Sequence, residues 1–332
     1  MPAVSPRELV QAIFSATQDS GYSSVLLSPL REQPRKFVFK SPDVTNFNLW
    51  VYAWTLTHGG RPSLPHEYRI QMTTVRSPLA DNAMGYTVLI GYEPSMNVFG
   101  GFDLTRHRTF TVGSPSVQID VRTLRQALQD GFAFDRKSNQ EIAIGIRPDH
   151  LVNYVVNATT LHRLGKQPQT FELLTRASSL QAIPEDDIAE LNHARQRIVL
   201  TVSRLSRLAS FREQVRNAYG ERCAVTRIQL RLVDAAHILP VGAPGSIDDV
   251  RNGIALSPTC HRAYDNGLIF LDAVYNMRVN PDKESALQAM NLTGGLHDFR
   301  ASLGRIHLPQ DKRLWPDPRF IEKANRARGI AV

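Results

Sequence analysis

The sequence predicts an α+β protein, with a β-rich N-terminal domain ahead of a smaller mixed domain. Three observations support this prediction. The chain has 332 residues, of which 42% are hydrophobic, enough for two ordinary domains with separate cores. Roughly seven segments before residue 183 are rich in β-branched and aromatic residues, as strands are. After Pro184 the apolar residues recur instead at the spacing of a helix.

The first domain, residues 1–183, is predicted to alternate strands with turns and a few helices. Residues 6–14 have the composition of a helix, and two more helices are expected near residues 122–130 and 148–157. The polar break at residues 93–96 separates two strands, as in a hairpin with a longer loop. The predicted strands cover residues 36–39, 48–56, 67–75, 86–92, 97–103, 116–121 and 141–146.

Residues 184–210 are predicted to form a connecting helix. Three acidic residues at its start suit the positive end of a helix dipole. Its apolar residues form one stripe, made of Ile188, Leu191, Ile198, Val202 and Leu205. The stripe either packs on its own domain or forms the contact between two chains of a homodimer.

The second domain is predicted to cover residues 211–295, with a basic C-terminal extension over residues 296–332. Ser210 and Glu213 have the spacing of a capping box. A new helix is therefore expected to begin at Phe211 and to end at Gly220.

Three segments of this domain carry residue types that suit phosphodiester hydrolysis: residues 232–240, 248–256 and 260–272. The reaction needs a group that takes a proton from water and a cation that stabilises charge on the phosphate. A neutral imidazole titrates near pH ~6.5, so His237 suits the role of base. The alternative is a strand histidine bonded to a backbone carbonyl. His261 and Asp265 are four residues apart, so on a helix they can bind one ion together, or simply contact each other.

The order of a strand with His237, a loop with Asn252 and a helix with His261 resembles the HNH nuclease family. The segments Ala-Ala-His-Ile, Asn-Gly-Ile-Ala-Leu and His-x-x-Tyr-Asp-x-Gly are similar to those of the subgroup found as C-terminal domains of restriction-type enzymes. The resemblance implies a ββα-metal fold, in which a hairpin and one helix hold a single divalent ion. It also implies that Asn252 ties the loop to the hairpin and holds the base, although Asn before Gly253 is equally a turn signal.

The expected cofactor is one divalent metal ion, Mg²⁺ or Mn²⁺, because the predicted ligands are imidazole and carboxylate groups. Many members of the family carry an Asp or His ligand immediately before the base, whereas this chain has Ala236. Asp234 shares a strand face with Ala236 and is the expected substitute ligand, beside His261 and Asp265. Asp265 is alternatively a group that orients a ligand.

Neither a structural zinc ion nor a small-molecule cofactor is expected. The two cysteines, Cys223 and Cys260, lack the Cys-x-x-Cys pairs that some relatives use for zinc, and we interpret them as structural thiols.

The expected partner is double-stranded DNA. The formal net charge of +8 is consistent with binding to phosphates, although many basic proteins bind no nucleic acid. The arginines predicted to contact DNA are Arg69, Arg106, Arg108, Arg251 and Arg262. No apolar run is long enough to span a membrane and no leader precedes the first helix, so we expect a cytoplasmic protein without a membrane partner.

These features together predict a metal-dependent DNA endonuclease of restriction type, serving defence and cutting with His237 as general base. The N-terminal domain is expected to choose the target, which includes the possibility of modified DNA. By analogy of architecture, that domain resembles the PUA-like, SRA-like or B3-like barrels that precede HNH domains in related chains. Two alternatives stay open: a DNA-binding protein with an inactive HNH fold, and a homing or recombination nuclease.

Overall fold

The computed structural model describes residues 3–41, 46–111, 113, 115–230 and 232–330. The chain divides into two compact units, Met1–Ser206 and Arg207–Val332. Within the described ranges, no helix is both long and apolar enough to cross a membrane.

The first unit combines ten strands with seven helices in its described part. The strands are β1 (Ser23–Leu26), β2 (Arg35–Lys40), β3 (Asn46–Thr55), β4 (Thr57–His58), β5 (Glu67–Gln71), β6 (Gly85–Glu93), β7 (Val98–Phe102), β8 (Ser116–Asp120), β9 (Phe132–Arg136) and β10 (Ile142–Ile146). The helices are α1 (Pro6–Asp19), α2 (Leu104–His107), α3 (Val121–Asp130), α4 (Leu151–Leu164), α5 (Pro168–Ser178), α6 (Glu185–Ala189) and α7 (His193–Ala218), the last of which continues into the second unit.

Seven strands form one mixed sheet in the order β1-β2-β3-β6-β7-β10-β9, and β4, β5 and β8 form a second sheet. Neighbours pair antiparallel except β3 and β6, which run parallel from Asn48↔Gly85 to Thr55↔Tyr92. Alternate residues of β3 serve different cores: Leu49 and Val51 pack with α1 and α4, whereas Tyr52 packs with β5 and β8. The unit is therefore a sheet with a separate apolar core on each face.

The predicted strands of the first unit are present, and the one expected at residues 67–75 ends at Gln71. The sequence did not predict β1, β4, β9, α2 and α5. The large sheet also differs from the barrel that the analogy suggested, because no described residues pair its outer strands β1 and β9 with each other. The α+β class itself is confirmed.

Helix α7 differs from the prediction of two helices around Ser210. It runs without interruption from His193 to Ala218, and Ser210 lies within it. The Ser210 hydroxyl accepts a hydrogen bond from the side chain of Gln214 at 2.8 Å rather than capping a new helix. The capping-box interpretation was therefore wrong.

The apolar stripe of the connecting segment is not a free surface. Leu191, Ile198 and Val202 are buried in the core of the first unit, and Leu205 packs against the same core. The stripe therefore packs on its own unit, and its interpretation as the contact between two chains was wrong.

The second unit has a small mixed architecture. Its strands are β11 (Asp234–His237), β12 (Gly253–Leu256), β13 (Ile269–Leu271), β14 (Asn276–Val279) and β15 (Gly304–Arg305), and its helices after α7 are α8 (Pro258–Asp265), α9 (Pro281–Ala289), α10 (Leu296–Ala301) and α11 (Pro318–Ala327). Strands β11 and β12 form a hairpin, and β13, β14 and β15 form a second sheet. Phe211 and Val215 of α7, and Tyr219 immediately after it, share one core with the hairpin and with α8.

Candidate active site

The hairpin and α8 bring the three predicted segments together. Strands β11 and β12 pair antiparallel from Asp234↔Leu256 to His237↔Gly253. Ser257 then begins α8, with Pro258 in the first turn, where a fixed φ suits a helix start. Ala236 is buried in the core, and His237 lies at the end of β11 with a half-buried side chain.

His237 is held on two sides. Its Nε2 lies 3.0 Å from Oδ1 of Asp248, and its ring stacks on Phe211 with centroids 3.8 Å apart and planes 14° from parallel. Burial lowers the pKa of His237, although the hydrogen bond and charge of Asp248 oppose this shift. When Nε2 donates its proton to Asp248, Nδ1 keeps the lone pair that a general base needs.

Asn252 fastens the loop that carries Asp248. Its amide is fully buried: Nδ2 donates to the carbonyl of Ile247 at 3.0 Å, and to the carbonyl of Leu239 at 3.2 Å and the hydroxyl of Ser246 at 3.3 Å. The backbone N–H of Leu239 donates to Oδ1 at 2.8 Å. The loop between β11 and β12 is thus pinned at both of its ends.

Gly253 allows α7 to approach the hairpin closely. A Cβ atom at this position would lie 2.2 Å from Cγ2 of Val215 and 3.1 Å from the ring of Phe211. Gly253 is also the residue opposite His237 in the hairpin. The stacking of Phe211 on His237 therefore depends on a residue without a side chain at this position.

His261 lies between two carboxylates. Its Nδ1 is 3.2 Å from Oδ2 of Asp234, and its Nε2 is 3.3 Å from Oδ2 of Asp265 on the same helix. Burial acts to lower the pKa of His261, but the hydrogen bond to Asp234 and the charges of both carboxylates outweigh it and raise that pKa. The two carboxylates face different ring nitrogens.

The fit of these residues to a divalent ion can be tested from the distances. Two ligands of an octahedral Mg²⁺ ion, each about 2.1 Å from the metal, lie about 3 Å apart. The separation of 3.3 Å between Nε2 of His261 and Oδ2 of Asp265 is close to this value. Over the described ranges, no group of three His, Cys, Asp or Glu side chains is placed to hold a metal. The pair fits an ion that takes its other ligands from water and phosphate oxygens, as Mg²⁺ commonly does.

The arginines of the first unit that were predicted to contact DNA either donate hydrogen bonds to backbone carbonyls or are half-buried. Arg106 donates to the carbonyl of Asn139 at 3.4 Å, and Arg108 donates to that of Leu79 at 3.0 Å. Arg69 lies half-buried on β5. Within the described residues, these three arginines make no hydrogen bond with one another.

The two predicted arginines of the second unit differ from each other. Arg251 forms a two-point contact with Asp249, at 3.1 and 2.9 Å. Arg262 is exposed on α8, and its guanidinium makes no hydrogen bond or ion pair with the residues that the structure describes. Cys223 and Cys260 are buried free thiols in the core.

Two residues that hold His237, Asp248 and Phe211, were not predicted as part of the site. Asp248 stands in one of the three matching segments, but its contact depends on how the loop folds back, which residue spacing does not reveal. Phe211 was interpreted only as the first residue of a helix. A sequence signal for Phe211 was its aromatic side chain at the start of an apolar set that includes Val215 and Tyr219.

Comparisons with known proteins support the interpretation of the second unit. Residues 223–272 match the model of the family described as HNH endonuclease, which confirms the resemblance found in the sequence. Residues 47–155 match the family described as Methylase-associated X1. A search of curated proteins gave no match. Among solved structures, a chain titled "Modification dependent TagI restriction endonuclease" aligns with 84% of this chain and 80% of its own length, at 13% identity and a TM-score of 0.30, too low to establish a common fold.

Proposed function

We propose that this chain, which carries an HNH endonuclease domain at residues 223–272, is a metal-dependent DNA endonuclease of restriction type. One observation carries the proposal. A single ββα unit holds an oriented, half-buried histidine, His237, on its hairpin and an imidazole–carboxylate pair, His261 and Asp265, on its helix. These are the two kinds of group that hydrolysis of a phosphodiester requires.

In this proposal His237 takes a proton from the attacking water at Nδ1. Asp248 and Phe211 fix the ring, and Asn252 fixes the loop from which Asp248 reaches it. His261 and Asp265 would hold Mg²⁺ or Mn²⁺, which when bound stabilises negative charge on the phosphate and the leaving oxygen. Asp234 contacts the other nitrogen of His261 and would orient the ring, as outer carboxylates do for metal-binding histidines, in place of the ligand role expected from the sequence.

The choice of target belongs to the first unit in this proposal. Residues 47–155 match the family described as Methylase-associated X1, and an association with a methylase is consistent with a nuclease that distinguishes modified from unmodified DNA. Arg69, Arg106 and Arg108 are the proposed DNA contacts of this unit, and Arg251 and Arg262 those of the second. Such an enzyme would act in defence against foreign DNA, in the cytoplasm.

Cleavage of a supercoiled plasmid tests the proposal. Methylated and unmethylated plasmid are incubated with the purified protein and Mg²⁺ or Mn²⁺, and we expect nicked or linear product that disappears with EDTA. His237→Ala should lower the cleavage rate by about 100-fold or more, because general bases contribute at least that much. The matched control is His307→Ala, which changes an exposed histidine of the same unit.

The variant must also keep its fold and its DNA binding. An unchanged melting temperature and unchanged binding of His237→Ala would locate the loss in the chemical step. A His237→Ala protein with more than a tenth of wild-type activity would exclude this residue as the base.

A second candidate function is a DNA-binding protein with an inactive HNH fold. It is favoured by Ala236, whose buried side chain replaces a ligand common in the family. Binding of both plasmids without any cleavage in either metal would support this candidate over the nuclease.

A homodimer is the proposed acting form for double-strand cleavage. One HNH site has one base and cuts one strand at a time, so two chains are needed to face both strands, and a symmetric dimer is the commonest arrangement. Light scattering with and without DNA measures the state. A chain that stays monomeric on DNA while producing linear product in a single encounter would contradict it.

A further inference from the structure

Arg212 is an exposed cation beside the candidate base. It follows Phe211 in α7, and its guanidinium makes no hydrogen bond or ion pair with the residues that the structure describes. Its neighbours on the helix differ, since Arg207 lies 4.0 Å from Asp248 and Arg216 lies 3.6 Å from Glu221. The guanidinium of Arg212 is therefore available to a ligand from solution.

The position of Arg212 is fixed by the packing around it. Phe211 stacks on His237 at 3.8 Å, and Val215 lies against the backbone of Gly253 one turn later. The backbone of α7 is thus held against the hairpin on both sides of Arg212. Its charge acts on both site histidines, lowering the pKa of His237 and opposing the rise in the pKa of His261.

The carboxylates around the site make a nearby cation favourable for binding a phosphate. Asp234 and Asp265 have side chains that are 50% and 60% exposed, so they repel an approaching phosphate. An arginine suits a phosphate well, because its planar guanidinium donates two parallel hydrogen bonds to the oxygens.

We infer that Arg212 binds a phosphate of the DNA strand at the point of cleavage. The inference rests on the proposed function, since it takes DNA as the substrate of the HNH unit. In this role Arg212 contacts a non-bridging oxygen next to the bond that breaks, and it stabilises the charge that develops there.

The first test measures binding and does not depend on cleavage. Fluorescence anisotropy of a duplex of about 30 base pairs, in EDTA, gives the affinity at salt concentrations of about 50 to 300 mM. Arg212→Gln should reduce the slope of log affinity against log salt by about 1, the value for one lost phosphate contact. The matched control, Arg204→Gln, changes an exposed arginine two turns earlier on α7 and should leave the slope unchanged. An unchanged slope in Arg212→Gln, or an equal change in both variants, would overturn the inference.

The second test measures single-turnover cleavage of plasmid in Mn²⁺ at saturating protein. Arg212→Gln should slow cleavage by about 100-fold, the usual effect of removing one preorganised donor. Arg212→Lys keeps the charge and should recover part of the rate, with circular dichroism verifying that each variant folds. A rate within about threefold of wild type for Arg212→Gln would overturn the catalytic role. A wild-type protein that binds but never cuts would contradict the proposed function, while the salt slope would still decide the phosphate contact.

Discussion

Replacing Asn252 by alanine should destabilise the second unit strongly. The substitution removes four hydrogen bonds made by a fully buried amide. The carbonyl of Leu239 keeps a partner, because the hydroxyl of Ser246 also donates to it at 2.9 Å. The N–H of Leu239 and the carbonyl of Ile247 lose their Asn252 partner. At about 1–3 kcal/mol for each unsatisfied buried group, the free energy of unfolding should fall by about 3 kcal/mol.

Calorimetry of the full chain measures this loss. For a domain of this size, about 3 kcal/mol corresponds to a melting temperature lower by roughly 10 °C. The control is Asn266→Ala, which changes an exposed asparagine after α8 and should alter stability by less than about 0.5 kcal/mol. A loss below about 1 kcal/mol for Asn252→Ala would refute the idea that this amide holds the loop.

Three further predictions concern His237 and its surroundings. Burial, aided by the charge of Arg212, lowers the pKa of His237, although the carboxylates of Asp248 and Asp265 oppose this shift. The proposed base is therefore neutral at pH 7, and the cleavage rate should fall only as the pH drops through this pKa, below about 6.5. Asp248→Asn removes a group that raises this pKa, so the acidic limb of the pH–rate profile should move to lower pH; a move to higher pH would contradict the assignment. Gly253→Ala should lower stability by about 1–3 kcal/mol in denaturant unfolding, because its methyl group would meet Val215, whereas unchanged stability would show that α7 yields there.

The parts of the site that depend on regular secondary structure were predictable from the sequence. A four-residue interval places His261 and Asp265 on one face of the helix, where their side-chain atoms lie 3.3 Å apart. The hairpin pairs His237 with Gly253 through the regular geometry of antiparallel strands. Asp248 was not predictable, because its position depends on how Asn252 folds the loop, and such tertiary contacts leave no periodic signal.

The continuity of α7 was hidden by a change in its buried face. Val202 belongs to the core of the first unit and Phe211, nine residues later, to the core of the second, and nine residues are not a whole number of helical turns. The apolar period thus shifts in phase near Ser210. A prediction that assumes one continuous apolar stripe therefore ends the helix there. Strand β1 was missed for another reason: it is an edge strand with exposed and half-buried residues in alternation, so few apolar residues mark it.

The replacement of a common ligand position by Ala236 has a structural counterpart in Asp234. Ala236 packs in the hairpin core, and the carboxylate two residues earlier extends to Nδ1 of His261. This contact leaves Nε2 facing Asp265, so only one ring nitrogen and one carboxylate are directed at the same point. An ion bound there would have few protein ligands and would depend on water and on the phosphate oxygens of the substrate. In such a site metal and DNA would bind cooperatively, because each would supply part of the binding site of the other.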